Sequence, residues 1–299
     1  MCGIVGLYLK DKSLEKSLGK LFTPMLIEMT NRGPDSAGVA IYRDPVPDNE
    51  IKVTLAHTDR AFDWSALAAG LTALHGKSKA TKTGNHCVLV SKASEEEVRA
   101  FLAAEAPDVR VVGAGHVIEI FKEVGLPRAV ADMYDLESAH GSHAIGHTRM
   151  ATESAVTTAG SHPFATGQDL CLVHNGSLSN HNSWRQWLRK NAKIEFQTEN
   201  DTEVAAAYLT WKLREGHSLK QALESSLTDL DGFYTFVAGT ADGFAVLRDP
   251  IACKPAVMAE TDDWVAFGSE FRALANLPGV EKARVWEPEP AIVYSWGKS

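Results

Sequence analysis

Cys2 is the residue with the clearest capacity for chemistry, because only the initiator methionine precedes it. A short second residue permits removal of Met1, and Cys2 would then carry both a thiol and a free α-amino group. Such an amine has an ordinary pKa of about 7.7–8.0, so near neutral pH it can serve as the general base for its own thiol. The alternative is a small buried residue that opens a strand. Position alone does not decide between them, so other residues must.

Several short motifs follow Cys2 in a fixed order. They are residues 1–6 (MCGIVG), 31–38 (NRGPDSAG), 146–152 (GHTRMAT), 161–164 (SHPF), 172–176 (LVHNG) and 199–203 (ENDTE), with weaker blocks at 248–250 (RDP) and 268–270 (GSE). This set resembles the class II glutamine amidotransferases, which are N-terminal nucleophile hydrolases. The blocks frame nearly the whole chain, and their joint order carries the resemblance.

The resemblance implies which residues act on an amide. Cys2 would be the nucleophile, and Arg32 would position it. Attack creates a tetrahedral oxyanion that needs hydrogen-bond donors already in place. The side-chain amide of Asn175 and the backbone N–H of Gly176 match that role in the family. Taken alone, an Asn-Gly dipeptide favours a type I′ turn between strands, and residues 31–35 would only stop a helix.

A site selective for glutamine also needs a cation for the substrate carboxylate and an anion for its ammonium group. Arg149 can donate two parallel hydrogen bonds to a carboxylate, Asp201 can accept from an ammonium, and the resemblance assigns them these roles. The alternatives are a surface ion pair for Arg149 and helix capping for Asp201. Asn200 with Glu203 three residues later is typical of a capping box.

Thr152 and His162 match family positions that line the glutamine pocket. Met150 stands where several family members have tryptophan, which affects how the pocket closes but leaves the nucleophile unchanged. The spacing of His140, His143 and His147 also allows a metal site, as do His162 and His174 nearby. We expect none, because no acidic residue occupies a metalloprotease position among them.

Composition narrows the class of protein. The chain has 299 residues, a net charge of -8 and a pI near 5.8, which gives no basic surface for nucleic acid or for anionic lipid. We find no apolar run of about 20 residues and no secretory signal, so we expect a cytoplasmic protein. The other cysteines, Cys87, Cys171 and Cys253, are scattered, and we expect them to pack as small hydrophobic residues.

The elements predicted around these motifs are short strands with helices grouped near the start and the middle of the chain. Periodicity indicates an α+β class of packed antiparallel sheets covered by helices, and residues 109–121 read as one strand. The resemblance implies a four-layer αββα sandwich. We expect residues 1–299 to form a single type 2 glutamine amidotransferase domain, with a family-variable insertion at about 44–140.

The chain leaves no room for a synthase domain, so we expect the acceptor of the ammonia on partner subunits. It resembles the stand-alone amidotransferase subunit of a glutamate-synthase-like enzyme, with N-methylglutamate synthase as the closest specific assembly. Such a partner could carry flavin or an iron–sulfur cluster, and we expect no cofactor in this chain. Two alternatives stay open: an independent N-terminal-cysteine amidohydrolase acting on another amide, and a catalytically silent regulatory subunit.

Overall fold

The computed structural model describes residues 2–151 and 155–297 of the chain. Within these residues the α-helices are α1 (Leu18–Glu28), α2 (Trp64–His75), α3 (Glu95–Glu105), α4 (Pro127–Met133), α5 (His181–Trp187), α6 (Asp201–Arg214) and α7 (Leu219–Asp229). The strands are β1 (Gly3–Leu9), β2 (Ser36–Tyr42), β3 (Ile51–Ala56), β4 (Ser78–Thr83), β5 (His86–Ser91), β6 (Arg110–Gly115), β7 (Ile118–Val124), β8 (His143–Arg149), β9 (Phe164–Gly167), β10 (Leu170–Leu178), β11 (Gly232–Thr240), β12 (Gly243–Arg248), β13 (Val257–Glu260), β14 (Trp264–Gly268), β15 (Arg284–Trp286) and β16 (Val293–Gly297).

Two antiparallel sheets form the body of the protein. The larger sheet has seven strands in the order β15-β13-β14-β1-β8-β2-β7, and the smaller has five in the order β16-β12-β11-β10-β9. Their facing surfaces share one apolar core, to which Ile145, Val173 and Phe267 contribute. Helices α1 and α4 cover the outer face of the larger sheet, and α5, α6 and α7 cover the smaller one. The αββα sandwich expected from the sequence is therefore confirmed.

Strand β1 shows why the sequence opens with an apolar run. Successive strand side chains point to opposite faces of a sheet. Val5 and Leu7 accordingly pack in the core beneath α1, whereas Ile4 packs in the core between the two sheets. With both faces buried and with β14 and β8 as neighbours, β1 lies inside the larger sheet. Cys2 is thereby fixed at the end of a central strand.

Residues 51–115 form a separate small unit beside the sandwich. Four strands pair in the order β4-β5-β3-β6, and α2 and α3 pack on them around a core of their own that includes Val53, Leu71 and Leu89. The end of this unit differs from expectation, because residues 109–121 are not one strand. They divide into β6 of the small sheet and β7 of the larger sheet.

The break between β6 and β7 is caused by one side chain, that of Asp169. The carboxylate of Asp169 accepts hydrogen bonds from the backbone N–H groups of His116, Val117 and Ile118 at 2.9 to 3.0 Å. Three N–H groups held by one distant side chain cannot take part in a continuous strand ladder. The turn therefore depends on a residue more than fifty positions away in the sequence.

Helices α4 and α7 were not predicted from the sequence. Pro127 is the first residue of α4, where the backbone N–H has no acceptor within the helix, so proline costs no helical hydrogen bond. At the start of α7, Ser218 and Gln221 form a capping box. In the part of the chain that the structure describes, no helix has both the length and the apolar character needed to cross a membrane.

Candidate active site

Cys2 lies half-buried at the start of β1. Its Sγ is 3.9 Å from the carbonyl oxygen of Met150. The carbonyl oxygen of Cys2 accepts two hydrogen bonds, from Nε of Arg32 at 2.9 Å and from Nδ2 of Asn175 at 3.2 Å. Side chains from two different segments thus fix the backbone of the proposed nucleophile.

Arg32 reaches Cys2 from the turn that follows α1. Its Nη1 donates to Oε1 of Glu270 at 2.8 Å, and Oε2 of the same carboxylate is 2.8 Å from Nε of Arg272. The hydrogen bond from Arg32, helped by the nearby charge of Arg272, lowers the pKa of Glu270. The turn itself needs Gly33, because a Cβ there would lie 2.3 Å from the carbonyl carbon of Thr148.

Asn175 and Gly176 lie within β10, paired with Thr235 and Tyr234 of β11. The type I′ turn considered for this dipeptide is therefore wrong. Gly176 has φ +149°, and a Cβ there would meet the carbonyl oxygen of Phe233 at 2.0 Å. The requirement for glycine comes from the close approach of β11 and not from a chain reversal.

Arg149 ends β8, the strand next to β1. Gly3 pairs with Thr148, and the register continues from there toward Cys2 and Arg149. Arg149 is 8% exposed, and its Nη1 donates to the carbonyl oxygens of Ala155 at 3.4 Å and Gly160 at 3.3 Å. It thereby holds residues 155–160 from a buried position.

Asp201 is the first residue of α6, and its Oδ2 accepts from the backbone N–H of Leu178 at 3.0 Å. This contact ties the start of α6 to the end of β10, three residues beyond Asn175. The helix is capped instead by Asn200, whose Oδ1 accepts from the N–H of Thr202 at 2.8 Å.

The capping box anticipated at this helix start is not formed. The carboxylate of Glu203 accepts from the backbone N–H groups of Gln197 at 2.7 Å and Thr198 at 2.8 Å rather than from Asn200. Glu203 is 4% exposed, so it uses its charge to hold the loop before α6.

His162 lies beneath the site in a cluster of buried histidines. Its ring stacks on His147 with centroids 3.9 Å apart, and its Nε2 is 2.7 Å from Oγ1 of Thr202. His174 contacts the same hydroxyl through Nδ1 at 3.1 Å. The cluster supports the residue that follows Asp201. Thr152, also expected in the pocket, lies outside the described residues.

These histidines are neutral in the fold. Burial, as the largest cause, lowers the pKa of His162 well below its usual value and that of His147 to about 3. In the adjoining part of the sandwich, burial likewise lowers the pKa of His143 to about 3. Each side chain must be exposed to water by unfolding before it can take up a proton near pH 6.

Stability should therefore fall on mild acidification. Unfolded histidine has a pKa of about 6.5, so below that pH the unfolded chain binds more protons and the free energy of unfolding decreases. For His143 alone the expected loss between pH 7 and pH 5 is about 2 kcal/mol. Urea denaturation at several pH values should show a shallower pH dependence for His143→Gln, by that amount, than for the wild type. The exposed His217→Gln serves as control, and equal slopes for His143→Gln and the wild type would contradict the prediction.

The remaining cysteines are in different surroundings. Burial raises the pKa of Cys87 and Cys171 to about 12, so neither is a nucleophile near neutral pH. Cys253 is exposed on the loop after β12, and the expectation that it packs as a hydrophobic residue is wrong.

Of the histidines that suggest a metal site, His147, His162 and His174 lie together in the buried cluster, whereas His140 and His143 lie apart from it. His140 is 3.9 Å from Asp44 at the surface, His143 stacks on Tyr42, and His147 belongs to the buried cluster. Across residues 2–151 and 155–297, no three or more His, Cys, Asp or Glu side chains are grouped as metal ligands.

Two contributors to the site were not given a role from the sequence. Glu270, which holds Arg32, lies in the weak block at 268–270, so a signal was present. Arg185 in α5 is 3% exposed and donates to the carbonyl oxygens of Thr198 at 2.6 Å and Asn200 at 3.2 Å. No motif marks Arg185, because its partners are backbone atoms of a distant loop.

Known proteins resemble this chain in sequence and in fold. A family model described as a glutamine amidotransferase domain matches residues 147–276. A glutamine amidotransferase-like protein GlxB of Rhizobium meliloti (strain 1021) is 58% identical over 99% of this chain and 98% of its own length. A putative glutamine amidotransferase of Methanothermobacter thermautotrophicus is 34% identical over 98% of this chain and 99% of its own length.

Among solved structures, an allosteric regulatory enzyme of purine biosynthesis has a TM-score of 0.62 at 22% identity, with coverage of 99% of this chain and 47% of that one. Glutamine phosphoribosylpyrophosphate amidotransferase from B. subtilis has a TM-score of 0.60 at 21% identity, with coverage of 99% and 49%. The chain spans about half the length of these solved chains. These likenesses show that the solved chains share the fold of this protein. By its match to the full-length relatives, the chain belongs to the glutamine amidotransferase family.

Proposed function

We propose that the mature protein hydrolyses L-glutamine to glutamate and ammonia in the cytoplasm, through a thioester on Cys2. The observation that carries the proposal is the convergence on Cys2: Arg32 and Asn175 bond its carbonyl oxygen, and its Sγ lies beside the residue after Arg149. Asp201 is tied to the strand that carries Asn175.

Removal of Met1 would leave the α-amino group of Cys2 as the base. The thiol gives its proton to that amine as Sγ attacks the side-chain amide carbon of glutamine. Asn175 Nδ2 and the N–H of Gly176 stabilise the resulting oxyanion. Collapse breaks the carbon–nitrogen bond, the amine returns its proton to the leaving group, and ammonia departs. Water then hydrolyses the thioester and releases glutamate and the free thiol.

Arg149 and Asp201 would select the substrate by its charged end. The buried guanidinium of Arg149 would pair with the α-carboxylate, where exclusion of water makes a charge-assisted hydrogen bond stronger. Asp201 would accept from the α-ammonium group with Oδ1, which lies 3.7 Å from Nδ1 of His174, while Oδ2 accepts from Leu178. Thr152 and His162 complete the proposed pocket, with His162 acting from beneath through Thr202.

Ammonia would pass to a partner synthase subunit of a glutamate-synthase-like enzyme, with N-methylglutamate synthase as the specific assembly we propose. Free ammonia in water is protonated and loses its nucleophilicity, so transfer requires a covered route. Support comes from exposed apolar side chains on segments that adjoin the site, Met150 (37% exposed), Phe233 (40%) and Phe271 (46%). A flavin or an iron–sulfur cluster would belong to the partner, and we propose no cofactor for this chain.

Substrate selectivity tests the proposal directly. Butyramide keeps an amide but lacks both charged groups of glutamine, so the pairs with Arg149 and Asp201 cannot form. We expect its kcat/KM to be lower than that of glutamine by about 10²–10⁴-fold, as measured by ammonia release.

The same assay separates the alternatives when intact-mass spectrometry shows that Met1 has been removed. Comparable kcat/KM values for the two amides would indicate an independent amidohydrolase and contradict the proposal. No hydrolysis of either amide, alone or with the partner subunits, would indicate a silent regulatory subunit.

A further inference from the structure

A second cavity lies between the small unit of residues 51–115 and the sandwich. Its volume is about 610 Å³, and its lining includes Arg60, Arg110, Lys122, Thr157, Phe164 and Glu203. This volume is within the range of small-molecule sites, roughly 300–1,000 Å³. Neither Cys2, Arg149, Asn175 nor Asp201 lines the cavity, so it is separate from the glutaminase site.

The charges at its mouth favour an anion. Arg60 and Arg110 are exposed, and neither guanidinium forms a hydrogen bond or an ion pair with another described residue. The exposed acid on the lining is Asp108. The two other acids on the lining, Glu123 and Glu203, are buried and accept hydrogen bonds from neighbouring groups. At the exposed mouth, two guanidinium groups therefore face one carboxylate.

Part of the interior wall is apolar. Val111, Val156, Phe164 and Ala165 line that part, and a hydrated inorganic ion would leave it without favourable contacts. An organic anion with an apolar or aromatic body matches both the mouth and this part of the wall, with its charge at the two arginines.

One wall of the cavity also touches the segment that Arg149 organises. Lys122 donates from Nζ to the carbonyl oxygens of Ala159 at 3.2 Å, Ser161 at 2.7 Å and Pro163 at 3.1 Å. Arg149 binds the carbonyl oxygen of Gly160, between two of these residues, from the glutaminase side. Lys122 and Arg149 thus bind the same stretch of backbone.

Lys122 gives the cavity a means of affecting this segment. Burial lowers its pKa to about 7, Glu203 opposes that shift and Arg110 adds to it. A bound anion would offset the charge of Arg110 and favour the protonated ammonium that holds the three carbonyl oxygens.

We propose that this cavity is a regulatory site for an organic anion, bound through Arg60 and Arg110, whose occupancy changes glutamine affinity through Lys122 and the 155–163 segment. The effect on glutamine rests on the proposed function, whereas binding of the anion does not.

The dye 8-anilinonaphthalene-1-sulfonate is a suitable probe, because it joins one sulfonate to an aromatic body. Fluorescence titration should show one saturable site in the full chain. The double variant Arg60→Gln/Arg110→Gln should weaken binding at least about tenfold, and Arg128→Gln, an exposed arginine on α4, should not. Both variants should keep the wild-type melting temperature, since all three side chains are exposed. Equal dye affinity in the double variant and the wild type would overturn the site.

The link to glutamine needs a second measurement. Saturating dye should change the KM for glutamine at least about twofold in the wild type but not in the double variant. An unchanged KM with the dye bound would overturn the coupling. Repeating the titration on Cys2→Ala separates the two proposals, because dye binding there does not depend on glutaminase activity.

Discussion

Replacing Cys2 with alanine should reduce glutamine hydrolysis by at least about 10⁴-fold, because removal of a covalent nucleophile leaves only binding and oxyanion stabilisation. The side chain is half-buried at a strand end, so the fold should survive its loss. Release of glutamate from purified, processed protein measures the effect.

Cys253→Ala is the matched control, since it removes an exposed thiol from a different loop and should keep wild-type turnover. A glutamine-like electrophile should add one mass increment to the wild type and to Cys253→Ala, but none to Cys2→Ala. Equal turnover of Cys2→Ala and the wild type would eliminate the thioester mechanism.

Asn175→Ala should lower kcat by about 10²–10³-fold with a much smaller change in KM, because an oxyanion donor acts when charge develops in the transition state. Asn175 also donates to the carbonyl oxygen of Cys2 at 3.2 Å, so part of the loss would come from a less well held nucleophile. Steady-state kinetics on glutamine separates kcat from KM.

Ser177→Ala is the control for this strand, because Ser177 is exposed and lies two residues further along β10. It should leave kcat unchanged. A fall in kcat of less than about fivefold for Asn175→Ala would show that the oxyanion is stabilised by other groups.

Much of the fold could be predicted because its signals are local. The apolar run that opens the chain forms β1 (Gly3–Leu9), and the helix expected near the start of the chain is α1 (Leu18–Glu28). The division of residues 109–121 could not be found in this way. It depends on Asp169 in the turn between β9 and β10, whose carboxylate binds the N–H groups at residues 116–118, and nothing near residue 116 encodes that contact.

The residues of the candidate site likewise include some that the sequence indicated and some that it did not. The order of the motifs indicated Cys2, Arg32 and Asn175, and the structure brings these three together. The supporting groups were missed, because Arg185 and Lys122 act on backbone carbonyl oxygens. Every residue has a backbone carbonyl oxygen, so these acceptors cannot be recognised from residue type. Only the folded chain shows which loops a buried cation holds.

The place of β1 in the larger sheet has a consequence for biosynthesis. Its neighbours are β8, more than 130 residues later, and β14, near residue 264. Pairings so distant form late, because the intervening chain must first emerge from the ribosome. The nascent N-terminus thus stays unpaired through most of translation, within reach of the aminopeptidase that would expose the thiol.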